Sequence, residues 1–169
     1  MKAEFLNPFV YAGMKVLSAE AGLKKWMPDK PYLTRVDSTR HPVSVVVGVV
    51  GAVQGLVLYG MDLSVAKGIV KAMAGAPLSM SDSMAESALG ELGNLITGLA
   101  SGLLEETGYP CRISPPAIVQ GSGVRILRMS IPVVAVPIAT ELGEIKILLG
   151  LSEVSQAADH QATQAGGSV

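Results

Sequence analysis

Apolar and polar positions along this chain follow two different periods, and each change of period marks a new element. Over residues 4–22, Phe5, Phe9, Val10, Met14 and Leu17 recur at helical spacing and predict a first amphipathic helix. Pro8 complicates its start. Asn7 and Pro8 together offer an N-cap and a first helical position, which would leave the earlier residues as a separate turn. Residues 24–40 are polar and punctuated by prolines, as in a loop or an edge strand, with Trp26 as a lone rim packing residue. Valine then dominates. Residues 43–50 and 53–59 read as two strands of a hairpin turning at Gly51 and Ala52.

Helical spacing returns over residues 63–74, with Met61 and Asp62 leading in and Asp62 or Ser64 as the cap. A loop over residues 75–81 leads to a long helix over 83–106. Ser83 and Glu86 have the spacing of a capping box at its start, and Gly108, Tyr109 and Pro110 end it. Residues 113–119 form a rigid extended segment, followed by a turn at Gly121, Ser122 and Gly123. Strands are expected over 124–138 and 142–151, joined near Glu141 to Gly143. Pro132 and Pro137 make part of the first an edge, a bulge or a strand that changes partner.

This order of elements predicts an α+β fold: a single two-layer domain, with a mostly antiparallel sheet and long helices on one face. The domain is expected to occupy residues 1–151. Beyond it, the Gln, Ala, Thr and Gly content of 152–169 predicts a flexible C-terminal tail. A hairpin followed by a helix hints at an internal echo, but the polar helix face described below occurs once, so the chain is no repeat array.

Composition narrows the function classes. Of the 169 residues, 49% are hydrophobic and 16% charged, which suits a folded domain with a sizeable core. Aromatics are only 4%, so that core must be aliphatic. A formal net charge of -1 gives no electrostatic case for nucleic acid or an anionic membrane. The valine-rich run over 43–59 contains Ser44, Gln54 and three glycines, and reads as strands rather than a membrane span. The acidic residue and proline near the N-terminus do not make a signal peptide. With one cysteine, Cys111, no internal disulfide can form, which suits the cytoplasm, and Cys111 is expected as a small buried residue.

Familiar catalytic patterns are missing from the sequence. His41 and His160 are far apart, and no Cys or His pair has metal-ligand spacing. There is no phosphate-binding glycine loop and no nucleophile elbow. What remains is the outer face of the long helix. Ala85, Ala88, Leu89, Leu92, Ile96, Leu99 and Leu103 share one stripe, and Ser87, Glu91, Asn94, Gly98, Ser101, Gly102 and Glu105 the other. Four glycines (Gly90, Gly93, Gly98 and Gly102) cost about 1 kcal/mol each relative to alanine, so close approach of another backbone or partner is expected to offset them. Glu91 and Asn94 lie at i, i+3, with Cβ atoms about 5–6 Å apart. A carboxylate can clamp a lysine. A neutral amide can orient a water for attack without itself moving a proton, as the glutamine of small GTPases does. The pair is incomplete as an active site unless the rest of the chemistry arrives on another protein. The plain alternative is a solvated helix face that happens to hold Glu and Asn.

Ser87, Glu91 and Asn94, followed by the Pro115–Pro116 pair, resemble the motif of the CheC/CheX/FliY phosphatase family, and of its CheX members in particular. That motif is Asp or Ser, three residues, Glu, two residues, Asn, then a proline some twenty residues on. The first three positions match in type and spacing, and the prolines match approximately. A looser likeness extends over residues 4–151. The resemblance implies hydrolysis of the aspartyl phosphate on a CheY-like response regulator. It implies that Glu91 salt-bridges a receiver lysine and that Asn94 enters the receiver's site to place the attacking water. Ser87, Gly98, Ser101, Pro115 and Pro116 would form the partner-binding surface. No cofactor would be bound by this chain, and Mg²⁺ would belong to the receiver. One such helix resembles CheX rather than CheC, which carries two, and implies a homodimer whose sheets join. Two other readings use the same residues: a non-catalytic adaptor that captures phosphorylated receivers, and a structural dimer with an inert helix.

Overall fold

A computed structural model describes residues 3–34, 40–121, 123 and 132–154. Among the described residues, three helices and an eight-stranded antiparallel sheet form two layers. In chain order the elements are α1 (Ala3–Glu20), β1 (Trp26–Pro28), β2 (Tyr32–Thr34), β3 (Val43–Gly51), β4 (Val53–Met61), α2 (Leu63–Ala74), α3 (Ser83–Glu106), β5 (Cys111–Ile113), β6 (Ala117–Gln120), β7 (Val133–Thr140) and β8 (Gly143–Glu153). The sheet runs β1-β7-β8-β4-β3-β5, with β2 also on β7 and β6 also on β3.

The valine-rich hairpin forms as its sequence predicts. Val43 pairs with Met61 and Val49 with Gly55, and Gly51 turns with φ +152°. Alternation along these strands sends Val43, Val45, Val47, Val57, Tyr59 and Met61 into the core, where they meet the helices. β4 lies between β3 and β8, and all three helices pack on the same face. Phe5, Phe9 and Leu17 seat α1, and Val65, Ala66, Ile69 and Val70 seat α2. α3 lies between them, touching α1, α2, β3, β5 and β6.

Both sheet edges are broken strands with a one-residue slip. Beside β3, Ser114, Pro115 and Pro116 oppose only Val47 and Gly48, because Ile113 pairs with Val49 and Ala117 with Val46. Beside β7, Asp29, Lys30 and Pro31 oppose only Val136 and Pro137. Prolines suit these positions because an edge strand leaves one row of amides without a ladder partner. Thus residues 24–40 supply edge strands over part of their length, and the extended 113–119 segment is two short strands around a bulge.

Several boundaries differ from the sequence reading. α1 runs through Pro8 as one helix. Phe5 and Phe9 are both buried on either side of the proline, so packing offsets the lost backbone bond. The cap of α3 is Asp82, whose carboxylate accepts from Met84 N at 2.9 Å, so Ser83 is the first helical residue rather than half of a capping box. α3 does end at Gly108 (φ +91°): Gly108 N donates to Glu105 O and Tyr109 N to Leu104 O, which satisfies two terminal carbonyls. β8 continues two residues past Leu151, with Glu153 paired to Val53. The expected strand over 124–131 and the tail beyond Val154 lie outside the described residues. No described helix is long and apolar enough to cross a membrane.

Candidate functional site

α3 presents the predicted pair. Glu91 and Asn94 are both exposed, on adjacent turns near the middle of the 24-residue helix. Neither side chain makes a hydrogen bond or ion pair with the described residues, so both are free to meet a visitor. α3 carries Glu86, Glu91, Glu105 and Glu106 and no lysine or arginine, which makes its exposed face acidic. That charge favours approach of a basic surface.

The surrounding candidates divide into two groups. Ser87 and Gly98 are exposed on the same face as the pair. Ser87 Oγ donates to Ser83 O at 2.8 Å, a bond within the helix that leaves the residue on the surface. Ser101 is half-buried instead, and its hydroxyl donates to Cys111 O at 2.9 Å, tying α3 to β5. Cys111 is half-buried, with its sulfur 3.2 Å from the same hydroxyl. Pro115 is exposed, whereas Pro116 is half-buried beneath α3: its Cγ would lie 3.4 Å from a Cβ placed on Gly90.

The bulge bearing these prolines is anchored on β3. Ser114 N donates to Gly48 O at 2.9 Å, and Gly48 N donates to Ser114 Oγ at 2.8 Å. Pro116 is thereby held against the α3 turn that carries Glu91.

Two of the four helix glycines make the expected close approach within the molecule itself. Gly90 and Gly93 are buried against this molecule's own sheet side, not bare toward a partner. A Cβ on Gly93 would come within 2.5 Å of Val45 Cγ1, so only glycine lets α3 sit this close to β3. Gly98 and Gly102 do face outward, and nothing lies within 4 Å of a Cβ on Gly102. The buried stripe is also rotated from the expected one. Thr97, Ala100 and Leu104 are buried, while Ala88, Leu99 and Leu103 are half-buried, because α3 is covered by α1 as well as by the sheet.

Sequence reasoning missed Tyr59 and Thr97. Both are fully buried, and their hydroxyls lie 2.8 Å apart. Burial drives the Tyr59 phenol well above its ordinary range, with the Thr97 hydrogen bond pulling the other way, so it stays protonated. Removing one partner from such a buried pair costs about 1–3 kcal/mol. The only local signal was a threonine in the interior of a Leu- and Gly-rich helix.

The exposed pair is no part of the recess that the described residues form at the far sheet edge. That recess, of about 540 Å³ and lined by Lys24, Lys25, Trp26 and Glu141, lies where β1 meets β7, across the sheet from β5 and β6. No group of three or more His, Cys, Asp or Glu among the described residues could hold a metal ion. One carboxylate and one amide on an open helix can dock and orient, and the reacting bond must come from elsewhere.

Comparison with known proteins places the fold and the family. Residues 43–139 match the family model for chemotaxis phosphatase CheX. The chain is 32% identical over 127 residues to the CheY-P phosphatase CheX of Thermotoga maritima, covering 75% of this chain and 81% of that protein. The crystal structure of the chemotaxis protein CheX from Desulfovibrio desulfuricans superimposes with a TM-score of 0.79 at 31% identity, covering 89% of this chain and 99% of that one. The CheX–CheY–BeF3–Mg²⁺ complex from Borrelia burgdorferi shares the fold, with a TM-score of 0.74 at 24% identity over 88% of this chain and 98% of that one. This chain belongs to the CheX family of chemotaxis phosphatases.

Proposed function

We propose that this chain removes the phosphoryl group from the aspartate of a CheY-like receiver domain, with Glu91 docking to a receiver lysine and Asn94 orienting the attacking water. Family membership supports the reaction, as do the naming of the Thermotoga relative as a CheY-P phosphatase and the existence of a CheX–CheY complex in Borrelia. The observation that carries the residue assignment is the free, exposed Glu91 and Asn94 pair on a helix whose opposite side is locked to the sheet.

Hydrolysis requires a water in line with the phosphorus–aspartate bond. The water oxygen bonds to phosphorus, the bond to the aspartyl oxygen breaks, and the products are inorganic phosphate and a restored carboxylate. Asn94 supplies a donor and an acceptor that hold the water in line without titrating near neutral pH. Glu91 pairs with a lysine and so fixes where the amide enters. Mg²⁺ would belong to the receiver, where it offsets phosphoryl charge. In the same reading the protein acts in the cytoplasm as a homodimer, for which Met27 and Leu33, 70% and 71% exposed on the short β1 and β2 edge strands, offer apolar surface.

The test is phosphate release from a CheY-type receiver loaded by a small-molecule phosphodonor in Mg²⁺. The wild-type chain should accelerate release, and Asn94→Ala should cut that acceleration about a hundredfold while remaining folded. Release at the wild-type rate by Asn94→Ala would refute the mechanism. Receiver capture by the wild-type chain without faster release would identify an adaptor instead.

A further inference from the structure

We infer that Tyr59 and Thr97 are positioning residues for the phosphatase reaction: their buried hydroxyl pair sets the register of α3 on the sheet and thereby the reach of Asn94. The inference rests on the proposed role of Asn94.

The rest of the buried face of α3 is Ala85, Leu89, Gly90, Leu92, Gly93, Ile96, Ala100 and Leu104. Such contacts are non-directional and distinguish poorly between small slides or rotations of the helix. The turn around Asn94 has two features that do distinguish them. Gly93 rests on Val45, with no space for a Cβ. One turn later, Thr97 Oγ1 donates to Gly93 O at 2.7 Å and lies 2.8 Å from the Tyr59 hydroxyl. A hydroxyl has one proton, so with Thr97 donating to Gly93, Tyr59 donates to Thr97.

Val45 and Tyr59 are directly paired across β3 and β4. Both anchors therefore stand on one row of the sheet, and on the helix they flank Asn94, one just before it and one three residues after. The glycine contact sets the height of the helix, and the hydroxyl pair sets its position along the axis. No polar side-chain atom buried among the described residues lacks a partner, so the pair is satisfied in this register. A slip of the helix would carry Thr97 away with its Gly93 bond intact and leave the Tyr59 hydroxyl buried and unpaired.

The experiment uses the full chain and the phosphorylated receiver, varying receiver concentration. Tyr59→Phe removes only the phenolic oxygen and leaves Thr97 bonded to Gly93. It should lower kcat about tenfold with KM within about twofold, because a misplaced amide affects the water rather than docking. Thr97→Val should behave alike, and Thr97→Ser, which keeps the hydroxyl, should retain the wild-type kcat. In an Asn94→Ala background, Tyr59→Phe should cause no further loss. The inference is overturned by a wild-type kcat in Tyr59→Phe, by the same loss persisting without Asn94, or by Thr97→Ser failing as Thr97→Val does. An inactive Asn94→Ala beside a fully active Tyr59→Phe sinks the clamp alone. Should Asn94→Ala itself keep full activity, its assigned role falls, and amide hydrogen exchange over residues 93–97 decides the clamp: faster exchange in Tyr59→Phe upholds it, and unchanged exchange ends it.

Discussion

The two faces of α3 have little in common chemically although they share one backbone. The inward face is tied down at close range: Gly93 against Val45, Gly90 against Pro116, and Thr97 to Tyr59. The outward face carries Glu91 and Asn94 free of partners among the described residues, with Gly98 and Gly102 on the same side. A helix that lends an amide to another protein's reaction must be stiff where it is seated and bare where it works, because the catalytic value of a placed group depends on its being held in advance. The same residue type has opposite uses on the two faces. On the inward side glycine permits contact within the molecule, and on the outward side it keeps the helix free of bulk.

Substitutions across the two faces should separate stability from activity. The largest effect is expected from Gly93→Val, where the added side chain overlaps Val45 in a closed core; it should destabilise by about 3 kcal/mol in urea unfolding. An unchanged midpoint would show that the seat is loose. Asn94→Ala should cut receiver dephosphorylation about a hundredfold while changing stability by no more than about 0.5 kcal/mol, since its side chain is exposed and makes no hydrogen bond with the described residues. A parallel fall in stability would erase the distinction between the faces. Glu91→Lys reverses the charge meant for a receiver lysine and should weaken docking about tenfold, read as a raised KM with little loss of fold. Gly102→Ala should raise stability by about 0.5–1 kcal/mol, because nothing lies within 4 Å of the new methyl and alanine favours the helix. A loss there would mean that the outer face is already covered.

Local signals carried much of this picture. The i, i+3 spacing of Glu91 and Asn94 and the valine alternation in β3 and β4 each depend on neighbours a few residues apart, so periodicity alone reveals them. The orientation of Gly90 and Gly93 was not legible that way. A glycine adds nothing to an apolar stripe, and only the positions of Val45 and Pro116 show which way it faces. Pro8 was misleading for a related reason, since its effect on α1 is outweighed by the burial of Phe5 and Phe9. The capping residue shifted by one because Asp82 and Ser83 are both good caps and the backbone turn selects Asp82.

By itself the sequence determined the long helix, the hairpin and the α+β class, and singled out Glu91 and Asn94 as the candidate pair, all from short-range repetition and residue chemistry. Only the tertiary structure decided how that helix is seated. The Tyr59–Thr97 bond joins residues 38 apart, and the Gly48–Ser114 anchor joins residues 66 apart. Such contacts depend on strand register and helix height, which follow from the packing of the whole sheet rather than from any local pattern.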